Sequence, residues 1–281
     1  AHIHPRQRTD GAGLRLSSMG ALWAARKVGG LKVYPTVQGQ FSFLVTLFDL
    51  EHNVPLAVFD GAEITRFRTA ALTALVAGRA AQAAPRKLAL FGAGFQGRAQ
   101  VRALCHQYDF AQIAVVDPAA DGAWCQQLAR ESGSRVEICD ARAAVEDADI
   151  VVTATRSAQP VFDGRWLKPG AFVAAIGTSG PQSRELDDAT LSRASRIIVE
   201  WKPQSLQEAG ELVLWNGSPS EREKVVDLAE LYAQPHPWRA QPQDIIVCKA
   251  VGVGLSDVAC AYLAYARHTQ PLRLASQGAL A

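Results

Sequence analysis

Apolar positions along this chain change their period twice. From His2 to Asp60 they come in short alternating runs. Gly11 and Gly13 mark a turn, residues 31–34 read as a short strand, 41–48 as a longer one, and Glu51-His52-Asn53 as a hairpin turn before a strand at 56–59. Asp60-Gly61 then leads into an Ala- and Leu-rich stretch that predicts a helix over about 65–82, which Pro85 ends.

Between Arg86 and about Trp201 continuous apolar runs alternate with helical spacing. Strands are expected at 88–91, 113–116, 136–139, 150–154, 172–176 and 197–200; helices at 96–107, 122–131 and 141–146, and over 185–192, where Leu186-Asp187-Asp188 suits a helix start. This is the pattern of an α/β fold, a doubly wound, Rossmann-type parallel sheet. Beyond Trp201 come short helices at 204–209 and 226–232, a Pro-rich stretch at 235–242, a strand at 244–248 and a last helix at 258–267 with Ser256 as its N-cap. That helix is expected to pack on the N-terminal region. The chain ends would then form one smaller α+β substrate and dimerisation domain, giving boundaries of 1–84, 85–243 and 244–281.

Composition narrows the partners. The 281 residues are 48% hydrophobic, ample for a large core, and 29 Lys+Arg against 27 Asp+Glu leave a net charge of +2. No large basic field is available for nucleic acid or an anionic membrane, so small molecules are the expected partners. No apolar run reaches the roughly 18 residues of a membrane span, and no leader pattern opens the sequence, which points to the cytoplasm. Five cysteines without close paired spacing suggest neither disulfides nor zinc. His2-Ile3-His4 reads as a chain tip, so no metal is expected. The single methionine is Met19 and the chain opens at Ala1, which suggests that preceding residues have been trimmed.

The clearest candidate chemistry lies at residues 88–98. An apolar strand meets Gly92, Gly94 and Gly97 as a helical pattern begins. Gly92 would permit the tight turn, Gly94 the close approach of a pyrophosphate, and Gly97 close helix–strand packing, with the phosphates at the helix N-terminus. Ala93, Phe95 and Gln96 complete the loop. Asp117 ends the next strand 20 residues after Gly97, where a carboxylate binds ribose hydroxyls and repels a 2′-phosphate; Pro118-Ala119-Ala120 bring no Arg to receive one. NADH is therefore favoured, with NADPH as the alternative. The bland reading is an Asp-Pro turn. Ligands of such sheets bind at the carboxyl ends of strands, which adds Thr153, Ala154, Thr155, Ile176 and Gly177 as cofactor-binding candidates.

Ile64-Thr65-Arg66-Phe67-Arg68-Thr69-Ala70-Ala71, followed by Gly92 to Gln96, resembles the ornithine cyclodeaminase/mu-crystallin family. Lys32 within Gly-Leu-Lys-Val, residues 167–171 leading to Gly177, 184–188 and 249–257 extend the resemblance over about residues 3–267. Family members usually carry an additional segment before the part matching His4-Pro5-Arg6. The resemblance implies hydride transfer at the α-carbon of amino acids or cyclic imines. It implies Arg6 and Arg68 as bidentate grips on the substrate carboxylate, with Arg8 competing for the first role, and Lys32 as the active-site lysine. A strand lysine between apolar neighbours would be partly desolvated and its pKa lowered, allowing proton exchange with a substrate nitrogen; its bland reading is an edge-strand guard.

In the loop after the strand at 172–176, cyclodeaminases of the family carry an acidic residue where this chain has Ser179, as ketimine reductases do. The expected activity is thus reduction of Δ1-pyrroline-2-carboxylate or Δ1-piperideine-2-carboxylate to L-proline or L-pipecolate, with Lys32 and Ser179 catalytic. The alternatives are a cyclodeaminase or alanine-dehydrogenase-like enzyme, and a non-catalytic ligand-binding protein. A homodimer is the expected assembly.

Overall fold

The computed structural model describes residues 1–234 and 237–269. The Pro235 end of the Pro-rich stretch and residues 270–281 of the last expected segment lie outside them. Two compact units organise the chain: Ala1–Thr65 with Val253 onward, and Arg66–Gly252.

The first unit is an antiparallel sheet of β1 (His2–Gly11), β2 (Leu14–Trp23), β3 (Val28–Val37), β4 (Gln40–Phe41), β5 (Leu44–Asp49) and β6 (Val54–Asp60), ordered β1-β2-β3-β5-β6 with β4 on β3. Residues 31–34 are the middle of a ten-residue strand. The strand expected at 41–48 is broken at 42–43, where the Phe43 carbonyl accepts the Gly61 N–H instead of a ladder partner. Strand alternation sorts the side chains cleanly. Ser17, Met19, Ala21, Lys32, Tyr34, Val45 and Leu47 face inward and are buried; Leu14, Leu16, Leu22, Leu44, Phe48 and Val58 face outward and are exposed. The helix Gly254–Thr269 covers the inward face through Val258 and Ala261. It begins four residues earlier than expected. Ser256 therefore lies inside it, its hydroxyl donating back to the Val253 carbonyl at 2.8 Å, and is not the N-cap. Only glycine fits at Gly254, where a Cβ would stand 2.3 Å from the Gly20 nitrogen.

Helix α1 (Gly61–Ala80) starts four residues before the expected Thr65, because the Asp60 carboxylate accepts the Ala62 N–H at 2.9 Å and so caps the earlier turn. In the second unit, β7 (Lys87–Phe91), β8 (Gln112–Val116), β9 (Arg135–Ile138), β10 (Ile150–Thr153), β11 (Phe172–Ala175), β12 (Ala194–Val199), β13 (Val225–Asp227) and β14 (Ile245–Lys249) form one parallel sheet ordered β13-β12-β14-β11-β10-β7-β8-β9. Its helices include α2 (Phe95–Cys105), α3 (Gly122–Ser132), α4 (Ala141–Val145), α5 (Asp188–Arg193), α6 (Lys202–Glu208), α7 (Gly210–Val213), α8 (Pro219–Arg222) and α9 (Leu228–Ala233); Gly254–Thr269 is α10.

Three sequence expectations change here. The helix expected over 185–192 begins only at Asp188, with Asp187 as its N-cap accepting the Thr190 N–H at 2.8 Å. Residues 226–232 divide between β13 and α9. The strand expected to return to the first unit, β14, instead lies between β11 and β12, so the boundaries drawn at 84/85 and 243/244 differ from those of the compact units. The reason is burial on both faces: all five β14 residues are buried, as a central parallel strand requires. Among the described residues no helix is long and apolar enough to cross a membrane.

Candidate active site

In the second unit the strand order β9-β8-β7-β10-β11 reverses between β7 and β10, which opens a crevice at their carboxyl ends. The glycine loop sits there. Gly92 has φ +88°, its N–H donates to the Val116 carbonyl at 3.0 Å, and a Cβ on it would stand 2.6 Å from the Ala154 carbonyl oxygen. A Cβ on Gly97 would fall 1.8 Å from the Gly92 oxygen, so α2 can press against the loop only with glycine at this position. Gly94 differs: a Cβ there would meet nothing within 4 Å. It is the N-cap of α2 and offers no side-chain cap, leaving the first-turn N–H groups of the helix for an anion. The open space and these donors suit the pyrophosphate of a dinucleotide.

Asp117 makes the turn contact and a second one to the glycine loop. One oxygen accepts the Ala119 N–H at 2.7 Å and shapes the turn; the other accepts the Ala93 N–H at 2.6 Å and ties that turn to the glycine loop. A carboxylate has about four acceptor sites, so ribose hydroxyls can still be received. A cation also stands at the glycine loop. Arg98 on α2 donates from Nε to the Ala93 carbonyl at 2.8 Å, with its guanidinium 4.8 Å from the Trp124 ring centre and 3.9 Å from Asp121.

At the ends of β10 and β11 the remaining cofactor candidates meet. The Ala154 N–H donates to Phe91 at 2.8 Å, and the Ile176 N–H to Thr153 at 2.9 Å. Glu185, fully buried, binds both following loops. Its Oε1 accepts the Thr155 N–H (2.7 Å) and hydroxyl (2.8 Å), and its Oε2 the Gly177 N–H (2.7 Å). Behind it, Glu211 Oε1 accepts the Glu185 N–H at 2.9 Å, and Glu211 Oε2 lies 3.0 Å from Lys249 Nζ, both side chains fully buried. Lys249 also donates to the Thr178 carbonyl at 2.8 Å. Ser179 follows on the exposed part of this loop.

In the first unit Lys32 is only 2% exposed and sits on β3, an interior strand, so the edge-guard reading falls. Its Nζ donates to Thr65 Oγ1 at 2.6 Å, stands 3.3 Å from Asp257 Oδ1 of α10, and lies 4.3 Å from the centre of the Phe43 ring. The Thr65 hydroxyl donates in turn to the Gly61 carbonyl at 2.6 Å. Arg6 is half-buried where the β1–β2 register shifts between His4 and Gln7, a bulge of the kind that re-aims side chains; Arg8, opposite Ser17, is half-buried as well. Arg68 is half-buried on α1, in the part belonging to the second unit. Among the described residues no group of three His, Cys, Asp or Glu could hold a metal ion.

Thr65 and Lys249 stand in stretches that carry the family resemblance without a role of their own, and Glu211 stands outside them. In sequence Glu185 lies in a family stretch that also suits a helix start, and Asp257 suits either support of the substrate site through residues 252–254 or the first turn of its helix. The available signal was a charge embedded in apolar surroundings, as in Ile245-Ile246-Val247-Cys248-Lys249.

The sequence model of the ornithine cyclodeaminase/mu-crystallin family matches residues 19–271. The chain belongs to this family. Mouse (Mus musculus) ketimine reductase mu-crystallin is 31% identical over 222 residues, 79% of this chain and 68% of that protein. A probable ornithine cyclodeaminase from Bordetella pertussis Tohama I is 43% identical, superposes with a TM-score of 0.91, and is matched over 95% of this chain and 86% of its own. The iminosuccinate reductase of Paracoccus denitrificans, solved with NAD+, is 25% identical with a TM-score of 0.85, over 95% and 86% of the two chains.

Proposed function

We propose that this family member is an NAD(P)H-dependent imine reductase that converts a cyclic imine carboxylate, Δ1-pyrroline-2-carboxylate or Δ1-piperideine-2-carboxylate, to L-proline or L-pipecolate. The observation that carries the reading is the buried Lys32 ammonium, held by Thr65 and Asp257, in a chain that also has a complete dinucleotide loop. The names of the mouse and Paracoccus relatives, both reductases of C=N compounds, support the same chemistry. Bound nicotinamide supplies the hydride for C2. Lys32 holds the imine nitrogen protonated, Arg6 and Arg68 orient the carboxylate, and Ser179 hydrogen-bonds substrate or cofactor. NADH is the favoured cofactor, a reading supported by the Asp117 carboxylate at the end of β8, where an acidic residue of such a fold receives ribose hydroxyls and repels a 2′-phosphate.

The outward face of the first unit's sheet, with Leu14, Leu16, Leu22, Leu44, Phe48 and Val58 exposed on one side, is a contiguous apolar surface suited to a second copy of the chain. The assembly in this reading is a homodimer. The setting is the cytoplasm, and five free cysteines suit a reducing compartment.

The Bordetella relative's description favours a second reading, cyclisation of ornithine with loss of ammonia. That reaction calls for a carboxylate base where Ser179 stands. Glu185 and Glu211, behind the same loop, are buried and bound to backbone N–H groups, so neither replaces it. Incubation with NADH and each imine tests the proposal. Loss of NADH absorbance is expected, and Lys32→Met should lower kcat by about 10²–10⁴-fold. No consumption of NADH with either imine, together with turnover of ornithine, would overturn it.

A further inference from the structure

The buried charges behind the Ser179 loop have no role in the chemistry above, yet they bind that loop at successive points. Glu185 takes the Thr155 N–H and hydroxyl on one oxygen and the Gly177 N–H on the other, and so cross-links the loops after β10 and β11. Glu211 orients Glu185 through its backbone, and Lys249 joins Glu211 to the Thr178 carbonyl. No larger residue fits the junction: a Cβ on Gly177 would stand 2.2 Å from the Thr155 oxygen and 2.5 Å from Glu185 Oε1. Burying two carboxylates beside one ammonium is costly unless hydrogen bonds satisfy them. A loop needed only for chain connection has no use for such an arrangement.

The strand order says which half of the ligand this lattice serves. Asp117, at the end of β8, lies on the adenosine side of the reversal between β7 and β10, whereas β10 and β11 lie on the other, where the second nucleotide of a dinucleotide goes. We infer that Glu185 is a positioning residue: acting through Thr155 and Gly177, it presets the two loops that receive the nicotinamide half of the cofactor. The inference rests on the dinucleotide reading of the glycine loop. Replacing one acceptor oxygen of Glu185 by an NH2 group turns a donor toward a donor, so one loop must let go.

The test compares binding of NADH with binding of ADP-ribose, which lacks the nicotinamide, in the full chain and in two variants. Glu185→Gln is expected to weaken NADH at least tenfold while leaving ADP-ribose within about twofold. Thr155→Val, which removes the hydroxyl that donates to Glu185 and accepts the Ser157 N–H, should weaken NADH several-fold, and Thr155→Ser should restore it. If Glu185→Gln does not fold, the Thr155 pair decides alone. Equal losses for both ligands, or no loss of NADH in the folded variants, overturn the inference while leaving the cofactor site in place. Failure of the unaltered chain to bind either ligand overturns both.

Discussion

The Asp117 carboxylate is fastened to the glycine loop itself, its Oδ2 accepting the Ala93 N–H at 2.6 Å. One residue thus helps set the loop's shape and, in the proposed reading, carries the charge beside the ribose. Asp117→Ser removes the charge and shortens the acceptor, while Arg98 remains on the adjoining turn of α2. The ratio of kcat/KM for NADH to that for NADPH should fall by more than tenfold, since hydrogen bonds to a charged group contribute about 1.5–3 kcal/mol. An unchanged ratio would separate Asp117 from cofactor choice.

That relationship also marks how far the sequence could be read. The tight turn at Gly92 and the close packing at Gly97 follow from spacing, because strand, turn and helix are contiguous, although the Val116 and Ala154 carbonyls that close on Gly92 come from the ends of other strands. Lys32 could be marked by family resemblance, but not its surroundings: Asp257 is 225 residues away and reaches it only because α10 lies across the inward face of the sheet. Glu185 likewise looked like the start of a helix until its partners, 30 and 8 residues back, were brought to it by parallel strands. The displacement of β14 had the same origin. Its apolar run announces a buried strand, but which sheet buries it depends on pairing with β11 and β12, which no local pattern encodes.

The second prediction concerns pH. Burial pushes the Asp149 carboxyl up, but hydrogen bonds from Lys168 and from the Lys87 and Arg86 N–H groups outweigh this and hold it below its ordinary 3.8. A carboxyl depressed in the folded chain contributes stability above its unfolded value and loses it as pH falls through the folded one. Asp149→Asn should therefore lower Tm at pH 7, by roughly 2–4 °C for each of the about 1–3 kcal/mol involved. The gap should narrow as pH falls below about 4. Thermal melts from neutral to acid pH check this, and a gap of constant size throughout would contradict it.

The third concerns assembly. Leu16 and Leu22 are 51% and 50% exposed on the outward face of β2, where burial against a second copy would remove apolar surface worth about 25 cal/mol per Å². Leu16→Glu with Leu22→Glu places two carboxylates on that face without touching Lys32, which points to the opposite side. Light scattering should show a dimer for the unaltered chain and a monomer for the double variant. A monomer in both cases would remove the homodimer from the proposed function.

The last prediction separates fold from cofactor within three residues. Gly97→Ala drives a methyl to 1.8 Å from the Gly92 oxygen, so either α2 or the loop must move; a loss of about 1–3 kcal/mol or more in stability is expected, and cofactor binding should fall with it. Gly94→Ala has no such cost, because its methyl enters open space. Glycine is preferred to alanine at an N-cap by up to about 1 kcal/mol, so Tm should fall by no more than roughly 2–4 °C. If the pyrophosphate approaches the backbone at Gly94, however, that open space is where its oxygens lie, and the same methyl should weaken NADH by tenfold or more. Calorimetry and NADH titration on the two variants give four numbers, of which the decisive one is NADH affinity in Gly94→Ala. Unaltered affinity there would move the pyrophosphate away from the loop; a tenfold loss with no more than that small fall in Tm would place it against Gly94.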